Sequence, residues 1–195
     1  MNRVVDRGAI TAAYVGIGVA ITVVASFQLI IPIEWVIWLL AFPTGLLIGY
    51  YANTRSNRRH GPWAKILVNG LFAGFVTGAT AAALLLLVKV IFFYADSGYP
   101  DFNRIDQGTG QPIPPYCQTG ADCVYSRYLL AGKGSDLAAA GVTDAASFTA
   151  VYWREQLATA TTLLVITTVG GLGGAVIYGV VRPRPTVSEA STRPV

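Results

Sequence analysis

Residues 66–88 read ILVNGLFAGFVTGATAAALLLLV, 23 consecutive positions without one charged side chain. As an α-helix such a run is roughly 35 Å long at 1.5 Å per residue. A bilayer's hydrocarbon core is about 30 Å thick, so the run is long enough to cross it with some tilt. Its small residues, Gly70, Gly74, Gly78 and Ala82, recur every four positions and so share one helix face.

Outward from this run the same pattern recurs. Residues 9–31 carry no charge, and Pro32, Ile33 and Glu34 interrupt them before a second apolar stretch at 35–51. Pro32 cannot donate a backbone hydrogen bond, which favours ending the first helix there. A break this short makes the first two helices antiparallel neighbours. Residues 52–62 form a polar loop with Arg55, Arg58, Arg59 and His60, and the third helix is expected over 63–94. A long polar segment fills 96–156, the fourth span is expected over 157–181, and residues 183–195 form a Pro-, Ser- and Thr-rich tail expected to be disordered.

Composition agrees with this reading. Of the 195 residues, 53% are hydrophobic and 12% charged, against about 25% charged in a soluble domain. Mean hydropathy is +0.52. The expected fold is therefore an all-α membrane protein with four transmembrane helices. Its divisions are residues 1–95 with helices 1 to 3, a cap at 96–156, helix 4 at 157–182, and the tail. The apolar stretch at 9–31 is too long for the core of a cleaved signal peptide.

Charge sets the expected orientation. The N-terminus, the 52–62 loop with Lys65, and the tail hold nine of the fourteen basic residues and two of the ten acidic ones. Basic residues collect on the cytoplasmic side. Both termini are thus expected inside a plasma membrane, a prokaryotic one, with the 96–156 segment outside. Arg55, Arg58 and Arg59 serve as topology determinants or contacts for anionic lipid head groups. The net charge of +4 does not suggest nucleic acid, because the basic residues border apolar spans and form no single stripe.

The two cysteines, Cys117 and Cys123, both lie in the outer segment, where oxidising conditions favour a disulfide. The short loop it closes would contribute about 2 kcal/mol on the chain-entropy model. The segment is also rich in aromatic residues (Tyr99, Phe102, Tyr116, Tyr125, Tyr128, Phe148, Tyr152, Trp153), unlike a free linker. A short helix is expected over 126–131, stopped by Gly132. A second, capped by Thr143, should run into the fourth span.

Between membrane helices, close backbone approach through small residues replaces the hydrophobic effect as the source of association. Besides the third-span series, Gly8, Ala12, Gly16 and Ala20 mark the first span, and Gly45 and Gly49 the second. Thr167, Gly171, Ala175 and Gly179 mark the fourth, with Gly170 and Gly174 alongside. Gly70, Gly74, Gly78, Gly171, Ala175 and Gly179 are the candidate packing residues. Gln28, Asn69 and Thr77 are candidates for interhelical hydrogen bonds.

Reaction chemistry finds little footing. The single histidine, His60, lies across the membrane from the cap, so a Ser-His-Asp triad cannot form there. Two cysteines without histidine do not close a zinc site. Asp101, Asn103 and Asp106 loosely follow a calcium loop, but Ile105 occupies a ligand position and no bidentate Glu follows. Residues 132–135, GKGS, lack the upstream glycine of a P-loop. No charge lies mid-span; Lys89, nearest the interior, can snorkel outward or pair with Glu34, Asp96 or Glu155. No cofactor and no metal is expected.

The order of short outer turn, short inner loop and large cysteine-containing outer loop resembles that of the tetraspanins. Their Cys-Cys-Gly signature is absent, so the resemblance concerns topology and carries no function. The expected role is a non-enzymatic accessory, assembly or scaffold subunit of a membrane complex, its partners being lipid and other membrane subunits or further copies of itself. The alternative is a small transporter or channel component for a neutral or lipid-like substrate, with Thr159, Thr161, Thr162, Thr167 and Thr168 lining the path. A lipid-acting enzyme using Asp101 or Asp106 ranks third.

Overall fold

A computed structural model of the chain describes residues 4–30, 34–57, 61–96, 99, 109 and 119–181. The described residues contain helices and no strand: α1 (Arg7–Ala25), continued by a π-helical turn over Ser26–Ile30, then α2 (Glu34–Arg55), α3 (Trp63–Ala95), α4 (Ala121–Leu130), α5 (Gly134–Ala139) and α6 (Ala145–Val181). Four of them, α1, α2, α3 and α6, are long and apolar enough to cross a membrane. The described residues thus form an all-helical fold with four helices compatible with a multi-pass membrane protein. The Pro32 break, Arg58, Arg59, His60, the Asp101–Asp106 turn, Phe102, Tyr116, Cys117 and the 183–195 tail lie outside the described residues.

The residues group into two compact units, Met1–Ala82 with Thr162–Val195, and Ala83–Thr161. Both α3 and α6 contribute to each.

In the first unit, α2 runs one turn further than its apolar stretch suggested. Ala52, Asn53 and Thr54, expected in the loop, are helical, and Ala52 and Asn53 are fully buried. Burial of Ala52 against Ala9, Ala12, Ile48 and Ala73 supports this turn. The helix stops where Asn57 takes a left-handed φ of 50°, a conformation Asn tolerates at helix ends.

In the second unit, α4 starts five residues earlier than expected, at Ala121. It ends as expected at a glycine. Gly132 has φ 74°, and the Lys133 amide returns to the Tyr128 carbonyl at 3.1 Å. The sequence reading did not foresee α5, which closes in the same way: Gly141 has φ 76° and the Val142 amide reaches the Leu137 carbonyl at 2.9 Å. A left-handed glycine followed by this backward hydrogen bond satisfies carbonyls that a helix end leaves open.

The expected helix leading into the fourth span exists as the first turns of α6, but Asp144 caps it, not Thr143. The Asp144 carboxylate accepts from the Ser147 amide at 2.7 Å, and the Ser147 hydroxyl accepts from the Thr143 and Asp144 amides at 3.0 Å each. The reciprocal arrangement satisfies donors that no earlier turn can serve. The Ser147 amide, then its hydroxyl, and lastly the Ala146 amide hold the Asp144 carboxyl below its ordinary value of 3.8. A depressed carboxylate contributes stability above its unfolded pKa, and that contribution is lost as pH falls through the folded value. Amide protection at 145–148 is therefore expected to drop on acidification from about pH 5 to about pH 2. In Asp144→Asn the neutral amide still caps, and hydrogen exchange there should lose this pH dependence. An unchanged acid profile would refute the cap's role.

Candidate functional site

Within the first unit α6 lies against both α2 and α3, and glycine makes the approach possible. A Cβ built on Gly171 would fall 2.6 Å from the Gly70 carbonyl oxygen and 2.8 Å from the Gly74 Cα. From the other side, Gly49 presses on the Gly171 carbonyl, and Gly45 on the Thr167 carbonyl. Gly171 thus meets two helices at once. Gly170 packs on Phe42 and Gly45, and Gly174 on Leu46 and Tyr50. Gly78 continues the row against Leu164 and Thr167. Ala175 is fully buried against Gly70, and Gly179 lies under the Trp63 ring. Backbones this close gain dispersion contacts that lipid tails cannot supply as well.

Along α1 the small residues meet the end of α2 and then α3. Gly8 abuts the backbone of Arg55 and Ser56, and Gly16 abuts the Thr77 hydroxyl. Gly18, by contrast, has nothing within 4 Å of its missing Cβ. Arg55 itself is exposed.

A buried polar knot joins the start of α1 to α2 and α3. The Asn69 amide donates to the Asp6 carboxylate at 2.7 Å, and the Asp6 backbone amide donates to the Asn69 carbonyl at 3.2 Å. Asn69 also reaches the Asn53 carbonyl oxygen at 3.5 Å. Asn53 in turn donates to the Gly49 and Ile66 backbone carbonyls at 3.1 and 3.0 Å. Both asparagines are fully buried. Among the described residues no buried side-chain polar atom is left unsatisfied. Asn69 thus makes the interhelical bonds expected of it, whereas Thr77 bonds its own helix, at the Ala73 carbonyl, 2.8 Å away. Asn53 escaped the sequence reading because Ala52–Arg55 reads as loop; its spacing of four from Gly45 and Gly49 was the available signal.

Replacing Asn69 with Leu strips partners from Asp6 and Asn53 together. The expected loss is about 1–3 kcal/mol, the range for leaving buried polar groups unmade. Denaturant unfolding in mixed micelles would measure it. The Asp6→Ala/Asn69→Leu cycle should be non-additive, since both act in one network.

In the second unit Phe93 is fully buried among Val124, Val142, Phe148 and Tyr152. Ring centroids lie 4.8 Å away for Tyr152 and 5.5 Å for Trp153. Tyr128 and Tyr125 close on Phe148 at 5.0 and 5.5 Å. The Tyr99 and Tyr152 hydroxyls share a 2.9 Å hydrogen bond, and Arg127 donates to the Tyr99 carbonyl at 2.9 Å. Leu129 and Leu130 remain exposed. Lys89 is turned toward Tyr99. It is 8% exposed, with its ammonium 5.9 Å from the Tyr99 ring centroid, within cation–π range.

Cys123 is buried beside Val124 on α4. Among the described residues no three His, Cys, Asp or Glu side chains gather as a metal site would require. Compared with known proteins, the chain matches no family model, no curated protein and no solved structure.

Proposed function

We propose that this chain is a non-enzymatic subunit of a membrane complex, serving assembly or as a scaffold, with both termini cytoplasmic and the cap outside the cell membrane. The observation that carries the reading is the structural commitment of the polar groups inside the four-helix unit. Asn53, Asn69, Thr77 and Thr167 spend their hydrogen bonds on backbone, on one another or on the Asp6 carboxylate.

A solute path would instead need a continuous polar lumen. Between α1, α2, α3 and α6 lies a crevice of about 20 Å³, lined by residues such as Val24, Ala41, Thr77 and Leu163. That is room for about one water. The fourth-span threonines also fail to share a lining face: Thr167 is buried, while Thr161 and Thr162 are exposed. A crevice this small supports docking over transport.

The cap completes the proposal. We take Cys117 and Cys123 as a disulfide, supported by the burial of Cys123 and by the presence of only two cysteines. Purification in mild detergent, with quantitative mass spectrometry of companion chains, tests the function. A stoichiometric membrane partner supports it, and a monodisperse, partner-free monomer overturns it. Maleimide labelling of intact cells at Arg58→Cys and Asp101→Cys tests the orientation. Reaction of both from the same side would sink it.

A further inference from the structure

Pro43 lies inside α2. It has no N–H to donate to the Leu39 carbonyl, and its ring crowds that oxygen, so the helix is weakened one turn before it. In hydrocarbon no water replaces the missing donor. On the C-terminal side of Pro43, Gly45, Ile48, Gly49, Ala52 and Asn53 are all buried, and Gly45 and Gly49 touch the α6 backbone. On the other side, only Ile37 and Ala41 are buried among residues 36–41, and Leu39 is 64% exposed. The glycine contacts between α2 and α6 run from Gly49 back to Phe42, whose backbone carbonyl meets Gly170. The crevice of about 20 Å³ lies at this junction, lined in part by Ile37, Leu40, Ala41 and Thr44 of α2. Its α1 wall, Ala20, Val23 and Val24, leads directly into the π-helical turn at Ser26–Ile30, a distortion that recurs where helices must adjust.

We propose that residues 36–41 swing as a short arm about Pro43 while α2 from Gly45 onward stays fixed on α6, and that this motion opens and closes the crevice. The device stands apart from the subunit reading and survives its failure. Two features set the arm's freedom: a hydrogen bond that proline cannot make and a glycine clamp whose contacts reach back only to Phe42, the residue before the proline.

Hydrogen exchange of the full chain in phospholipid nanodiscs tests it. In the wild type, amides 44–46, which donate to carbonyls 40–42 across Pro43, are expected to exchange at least about fivefold faster than amides 48–53, the effect of roughly one weakened hydrogen bond. Pro43→Ala restores the donor to Leu39 and should slow exchange at 44–46 by about five- to tenfold, leaving 48–53 unchanged. Equal protection of the two stretches in the wild type overturns the proposal, whether or not the variant folds. So does unaltered exchange at 44–46 in a folded Pro43→Ala chain.

Discussion

Gly171→Val is expected to dismantle the contact among α2, α3 and α6. The Gly171 position has backbone on two sides, the Gly70 carbonyl and Gly74 Cα from α3, and Gly49 from α2. Even a single Cβ would have to sit at 2.6–2.8 Å from those α3 atoms. A flexible side chain could turn aside, but a helix backbone cannot without carrying its neighbours. Overpacking of a well-filled core costs about 1–3 kcal/mol when side chains absorb it, and a clash with backbone belongs at or above the top of that range. We expect a loss of at least about 3 kcal/mol, measured as unfolding by denaturing detergent. Gly18→Val supplies the control. It adds the same atoms to a glycine with open space around it, and stability should change by less than about 0.5 kcal/mol. Equal losses at the two sites would mean that α6 is not held by glycine contact.

This contrast shows what the sequence could and could not yield. Spacing of four identified Gly70, Gly74, Gly78, Gly171, Ala175 and Gly179 as one-faced rows, since helical geometry alone decides which residues share a face. It also put Gly8, Gly16, Gly45 and Gly49 on such rows, yet could not pair the rows with one another. That pairing depends on how helices rotate about their axes, which no local pattern encodes.

Long apolar runs made the four membrane-crossing helices legible because length against bilayer thickness is a one-dimensional criterion. The last turn of α2 was not legible. Asn53 looks like loop chemistry until Ile66 and Asn69 from α3 meet it. Asp144 was passed over for Thr143 because either residue type caps a helix, and the position of Ser147 decides between them. The cap's aromatic content implied a folded element, but its centre, Phe93, lay hidden in what reads as membrane span.

Phe93 is therefore the residue whose loss should damage the cap most. Its ring is fully buried and touches residues of α4 and α6 as well as Val142 just before α6. Truncating a buried phenylalanine to alanine costs about 3–5 kcal/mol, because the transfer free energy of the ring is lost and a cavity remains. Its aromatic neighbours add to that, at about 0.5–1.5 kcal/mol per favourable ring pair. We expect about 4 kcal/mol for Phe93→Ala. The damage should concentrate in residues 121–152, seen as lost amide protection and as a weaker near-ultraviolet signal from the ordered rings.

The adjacent Tyr94 tests whether burial, and not mere aromatic contact, is responsible. Its ring stacks on Trp153 at 6.1 Å but is 52% exposed. Tyr94→Ala forfeits two ring pairs, with Phe93 and Trp153, but little burial, so its loss should stay at about 1–2 kcal/mol. Should the two variants lose equal stability, Phe93 would be one aromatic among several, and the cap would owe its fold to elements other than this cluster.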